Sequence, residues 1–148
     1  MKKALLVMFV AALFLGVAVL GQAAEKNGTI VVIGKNLKDS KGRIGAALFK
    51  SADGFPKDSK KAFKRGRAKI KDKKAQIEFK DIPYGEYAVA LIHDENENGK
   101  MDYNAIGLPK EGYGFSNDAM GTLGPPDFKA AKFKLDSPKK DVPIKLNY

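Results

Sequence analysis

Short runs in which apolar and polar positions alternate dominate this chain. Residues 28–33 are rich in β-branched side chains (Thr29, Ile30, Val31, Val32, Ile33) and stop at Gly34, which predicts a first strand. A second strand is expected over residues 43–49, ending in Leu48 and Phe49. Lys38, Asp39, Ser40, Lys41 and Gly42 supply turn chemistry between them, so the two strands are expected to pair antiparallel. Asp53, Gly54 and Pro56 break the pattern, and the basic stretch beyond admits a short helix over 59–65, limited by Gly66. Ala75, Ile77 and Phe79 then alternate with Gln76, Glu78 and Lys80, the signature of a strand with one buried face. After the turn at Pro83, Tyr84 and Gly85, residues 86–92 are apolar on both faces, which places that strand in the middle of a sheet. Residues 130–135 and 142–148 resume alternation and predict the last two strands, with a turn over 136–140.

Short strands separated by turn clusters, with no long segment of helical period, predict an all-β fold, an antiparallel β-sandwich of about seven strands with Greek-key connections. The connection from Asp94 to about Phe128 is far longer than compact domains ordinarily use, and long loops of this kind commonly carry function.

The N-terminus divides the chain. Lys2 and Lys3 precede an uncharged apolar run over 4–20, which ends in Gly21, Gln22, Ala23 and Ala24. Residues 1–24 therefore read as a secretory signal peptide, and 25–148 as a single exported domain, periplasmic or extracellular. An uncleaved N-terminal anchor is the alternative. Apart from that segment, no membrane-spanning stretch is expected. The sequence contains no cysteine, which removes disulfides, thiolate ligands and thiol nucleophiles from consideration.

The formal charge is +10, and leaving out Lys2 and Lys3 gives +8. Much of the excess falls between Lys50 and Lys80, in Lys57, Lys60, Lys61, Lys64, Arg65, Arg67, Lys69, Lys71, Lys73 and Lys74. Two readings stand: solvated lysines that keep a small protein soluble, or an attractive surface for anionic envelope polymer or lipid headgroups. Nucleic acid is not expected, because no aromatic stacking motif is interleaved with the basic residues.

The candidate chemistry lies in the long connection. Asp94, Asn96, Asn98 and Gly99 match the opening positions of a calcium loop, with the carbonyl of Lys100 and the side chain of Asp102 continuing it. Ala105 stands where the closing bidentate glutamate belongs, so helix-flanked calcium-loop architecture is not expected. Glu111 or Asp118 is the candidate for the missing ligand. The rival reading is that these Asp and Asn side chains form Asx turns with their own backbone. Further on, Tyr113, Phe115, Ser116 and Asn117 form a candidate ligand-binding group, the two aromatics either flooring a site or pinning the loop to the sheet. His93, the single histidine, is either a satisfied residue at a strand end or the base of a small hydrolase using carboxylates of the same loop. Ser116 lacks the second glycine of a nucleophile elbow.

Taken in order, Gly45-Ala46-Ala47-Leu48-Phe49, Ile82-Pro83-Tyr84-Gly85-Glu86-Tyr87, the loop from His93 to Asp102, and Gly107-Leu108-Pro109-Lys110-Glu111-Gly112-Tyr113-Gly114-Phe115-Ser116-Asn117 resemble the bacterial family called domain of unknown function 2141. The resemblance implies an exported β-domain with no established activity or cofactor. Pro83-Tyr84-Gly85-Glu86-Tyr87-Ala88-Val89 also resembles transthyretin-like and carboxypeptidase-regulatory-like sandwiches, at the level of fold only. The expected function is a non-catalytic binding or structural module with a Ca²⁺-accepting or self-bonded loop. The hydrolase and the adhesion to anionic envelope components are its alternatives.

Overall fold

A computed structural model describes residues 25–148. The signal-peptide expectation, residues 1–24, lies outside them. The described residues form eight strands: β1 (Asn27–Lys35), β2 (Arg43–Phe49), β3 (Lys64–Lys69), β4 (Ala75–Pro83), β5 (Gly85–Asp94), β6 (Gly112–Phe115), β7 (Phe133–Leu135) and β8 (Lys139–Lys145). One sheet has the order β4-β1-β8; the other runs β3-β2-β5-β6, with β7 pairing β5 beyond the end of β6. Pairing is antiparallel except between β1 and β8, which run parallel. The result is an all-β sandwich.

The core lies between the sheets because each strand aims one face of its alternation inward. Ile30 and Val32 of β1, Ile77 and Phe79 of β4, and Ile144 of β8 meet Ile44 and Leu48 of β2 and Tyr87, Val89 and Leu91 of β5. In β4 the alternation would carry Ile82 out of the core. A register shift opposite Gly28 and Ile30, with Asp81 at φ 55°, restores it, so Phe79 and Ile82 are both buried.

Several expectations need correction. β1 and β2 do not pair with each other: β1 pairs β4 and β8, whereas β2 pairs β3 and β5, so residues 36–42 cross between sheets. The basic stretch forms one 3₁₀ turn (Ser59–Lys61) and then the strand β3, not a helix to residue 65. Residues 130–135 divide into the end of a helical turn, α1 (Phe128–Ala131), capped by the Asp127 carboxylate on the Ala130 N–H, and the short β7. The long connection also contains a strand, β6. β6 alternates glycine and aromatic for a physical reason. A side chain at Gly114 would strike the backbone of Lys145 and the side chain of Ile144, and one at Gly112 would strike the Tyr148 ring. Glycine thus lets β6 approach the other sheet, and two backbone hydrogen bonds between Tyr113 and Asn147 join the sheets at that corner. Among the described residues no helix is long and apolar enough to cross a membrane.

Candidate functional site

The outward face of the β3-β2-β5-β6 sheet is divided in two. At one end Phe55 packs edge-on against Phe49, Phe115 and Phe128, with ring centroids 5.3, 6.1 and 5.8 Å away, forming a small aromatic core over Ala88 and Ala131. At the other end the face is open, and a cleft of about 1210 Å³ lies over it. Strand register sets its floor. Arg65, Ala47, Ala90 and Phe115 stand opposite one another in one row, and Arg67, Gly45, Ile92 and Tyr113 in the next. Small residues in the middle strands make the hollow, with arginines at one side and aromatics at the other. Residues around Tyr103 and Leu108 and around Met120 and Leu123 complete its lining.

Arg65 and Arg67 were legible in the sequence only as members of a basic stretch. The signal that places them is the alternation Lys64-Arg65-Gly66-Arg67-Ala68, a period of two that puts both guanidiniums on one face. Gly66 turns inward, where a Cβ would come within 2.6 Å of Ile77 Cγ2. Neither arginine makes an ion pair or a side-chain hydrogen bond among the described residues. The Arg67 guanidinium lies directly on Gly99, whose φ of +84° and missing side chain leave room for it, so the Asp/Asn-rich loop forms a wall of the cleft.

That loop is tied by its own oxygens. The buried Asp94 carboxylate accepts the N–H groups of Asn98 (3.0 Å) and Gly99 (2.7 Å). Asn96 accepts from the Asn98 N–H, and Asn98 from the Lys100 N–H, both as Asx turns. The amide of Asn98 donates at 2.9 Å to Asp102, and that of Asn96 donates at 2.6 Å to the same carboxylate. These bonds, that of Asn98 first, hold Asp102 below the usual carboxylate range. Glu111 is brought to the loop, nearly enclosed, and its two oxygens accept the Glu95 N–H (2.9 Å) and the Asp102 N–H (3.1 Å). Asp118 is not: it accepts the Lys145 N–H at 2.7 Å, so the expectation that it completes the loop's ligands is corrected. Ion pairs from Lys38 to Glu95 (2.6 Å) and Arg43 to Glu97 (2.8 Å) tether the loop to the start of β2.

The four residues singled out as a ligand-binding group separate. Tyr113 and Phe115 lie on the outward face, Tyr113 half-buried beside the cleft and Phe115 shared with the aromatic core. Ser116 is fully buried; its hydroxyl accepts the Val89 N–H at 2.9 Å and donates to the Ala131 carbonyl at 2.6 Å. Asn117, at φ 61°, donates to the Lys132 carbonyl at 2.8 Å. The two fill the gap between β6 and β7 along the edge of β5. His93 is fully buried as well. Its Nε2 faces the Lys41 carbonyl at 2.7 Å and must donate to it, so in the neutral ring Nδ1 accepts from the Tyr148 hydroxyl, also 2.7 Å away.

The family model for uncharacterised proteins conserved in bacteria, DUF2141, matches residues 31–143. The chain belongs to the DUF2141 family. The matched span includes all of the cleft's floor and the whole Asp/Asn loop, so in this DUF2141 member the site is part of the family domain. No curated protein and no solved structure matches it.

Proposed function

We propose that this DUF2141 protein is an exported, non-catalytic binding module that takes its ligand in the cleft across β3, β2, β5 and β6. The observation that carries the reading is the cleft itself, a concave site on a rigid sheet with a mostly small, apolar floor and a few cationic groups, the usual composition of a ligand site. The enclosure of His93 and Ser116, each with its hydrogen bonds used within the fold, favours binding over hydrolysis. Export rests on the sequence pattern of residues 1–24. The test uses Nile red, a neutral apolar fluorophore. Saturable fluorescence enhancement is expected with the native protein and not with Ala90→Trp, which fills the floor, while the two melt alike. Enhancement equal in both proteins, or none in either, would sink the cleft as a ligand site.

A second reading concerns the loop, and the gathering of Asp94, Asn96, Asn98 and Asp102 into one bonded ring favours it. Rotation of the two Asn amides would turn oxygens toward the Asp102 carboxylate, bringing together hard oxygens of the kind Ca²⁺ takes. The loop's existing hydrogen bonds compete with that rotation, so binding would be weak, with a dissociation constant of about 10⁻⁴ to 10⁻³ M as in extracellular modules. Thermal unfolding with chelator and with Ca²⁺ tests it. Ca²⁺ at a hundredfold its dissociation constant adds about 2.7 kcal/mol. An unchanged midpoint with Ca²⁺ raised to about 10–100 mM, against an equal ionic strength of Na⁺, would leave the Asx turns as the loop's whole explanation.

A further inference from the structure

The cleft is asymmetric, and its asymmetry specifies a class of occupant. Four of the large apolar side chains exposed on this molecule stand at its lips: Tyr103 (53 %), Leu108 (55 %), Met120 (56 %) and Leu123 (102 %). Exposed apolar residues scattered singly need no explanation, but four bordering one concavity do. Across the sheet from Tyr113 and Phe115 stand Arg65 and Arg67, alternate residues of β3, with Lys57 and Lys100 also lining the space. Among the described residues Asp94 is the one carboxylate lining it, and its oxygens accept the Asn98 and Gly99 N–H groups. From β3 to β6 the floor crosses three interstrand gaps, roughly 14 Å. A ligand lying across the strands would therefore meet forked cationic donors at one end and apolar surface at the other.

We propose that the cleft binds a free single-chain anionic amphiphile of the medium-chain carboxylate type, head on Arg65 and Arg67 and tail toward Tyr113, Met120 and Leu123. The proposal rests on the cleft being a ligand site and adds the chemistry of the ligand. Planar guanidiniums suit a carboxylate because two parallel N–H···O bonds can form; Arg65 and Arg67 are both exposed on β3, open to an incoming head group. The docking geometry is concave rather than a protruding basic face, which is why a single amphiphile is favoured over a membrane surface.

The experiment is calorimetric titration of the protein with decanoate, with decyl maltoside as the neutral tail and acetate as the tailless anion. One decanoate per chain is expected, with decyl maltoside at least about tenfold weaker for want of the charge-assisted pair and acetate at least about tenfold weaker for want of the buried tail. Arg65→Gln with Arg67→Gln should weaken decanoate about tenfold or more and leave decyl maltoside unchanged. Decanoate-induced chemical-shift changes at Ala47 and Tyr113 give a readout independent of whether any variant folds. Failure of decanoate to bind, equal affinity for decyl maltoside, or indifference to the double arginine substitution would overturn the anionic amphiphile while leaving the Nile red result intact. Decanoate binding unaffected by a well-folded Ala90→Trp, with no shifts at Ala47 or Tyr113, would overturn both this assignment and the cleft. Sedimentation with anionic phosphatidylglycerol vesicles that free decanoate does not compete away would replace it with surface adsorption.

Discussion

His93 has the Lys41 carbonyl on one ring nitrogen and the Tyr148 hydroxyl on the other, and no route to solvent. The Tyr148 hydroxyl in turn accepts the Lys38 N–H at 3.2 Å, so the ring joins the end of β5, the turn before β2 and the segment after β8. Replacing it with alanine would remove buried volume, leave the Lys41 carbonyl without this donor and take from the Tyr148 hydroxyl its acceptor. His93→Ala is expected to cost about 2–5 kcal/mol, and Tyr148→Phe about 1 kcal/mol, in urea unfolding. A His93→Ala protein as stable as the parent, with lost binding, would mean the ring serves the ligand instead of the fold. Ser116 teaches the same lesson. A serine beside glycine and asparagine reads as chemistry in one dimension. In three it fills the place where the β5 ladder lacks a strand partner, because a buried N–H at Val89 must be satisfied.

At the scale of elements, the loop from Asp94 to Asp102 behaves as a unit closed by one carboxylate. Its folded form favours ionised Asp102, whose affinity for protons is lowered by the Asn98 and Asn96 amides. A lowered folded value means the contribution is complete above the unfolded carboxylate value of about 3.9 and is lost as pH falls through the folded one. The side-chain amide resonances of Asn98 and Asn96 should therefore shift on acidification with a midpoint below about 3.9. A midpoint at or above that value would contradict the bonded ring. The strands themselves were unequally legible. β2, β4 and β5 follow from alternation, because each buries one or both faces. β3 was hidden by its charge: Lys, Arg, Gly and Ala have little β-propensity, and only pairing with β2 and the closeness of Gly66 to Ile77 make it a strand. β6 was hidden by its glycines, which serve contact with β8 instead of local conformation.

For the molecule as a whole, the sequence by itself determined the all-β class, the central place of β5, the DUF2141 membership and the location of the long connection after β5. Periodicity, turn residues and composition are local, and these features depend on local pattern. It also determined that Asp94, Asn96, Asn98 and Asp102 would act together, since they lie within one short loop. Only the tertiary structure decided that β1 and β2 occupy different sheets, that β1 runs parallel to β8, and that Arg65 and Arg67 face Tyr113 and Phe115 across a hollow of small residues. Those relations join segments tens of residues apart. They are set by which registers bury the most apolar surface and satisfy the most backbone hydrogen bonds, a choice made by the whole chain at once and written in no single stretch of it.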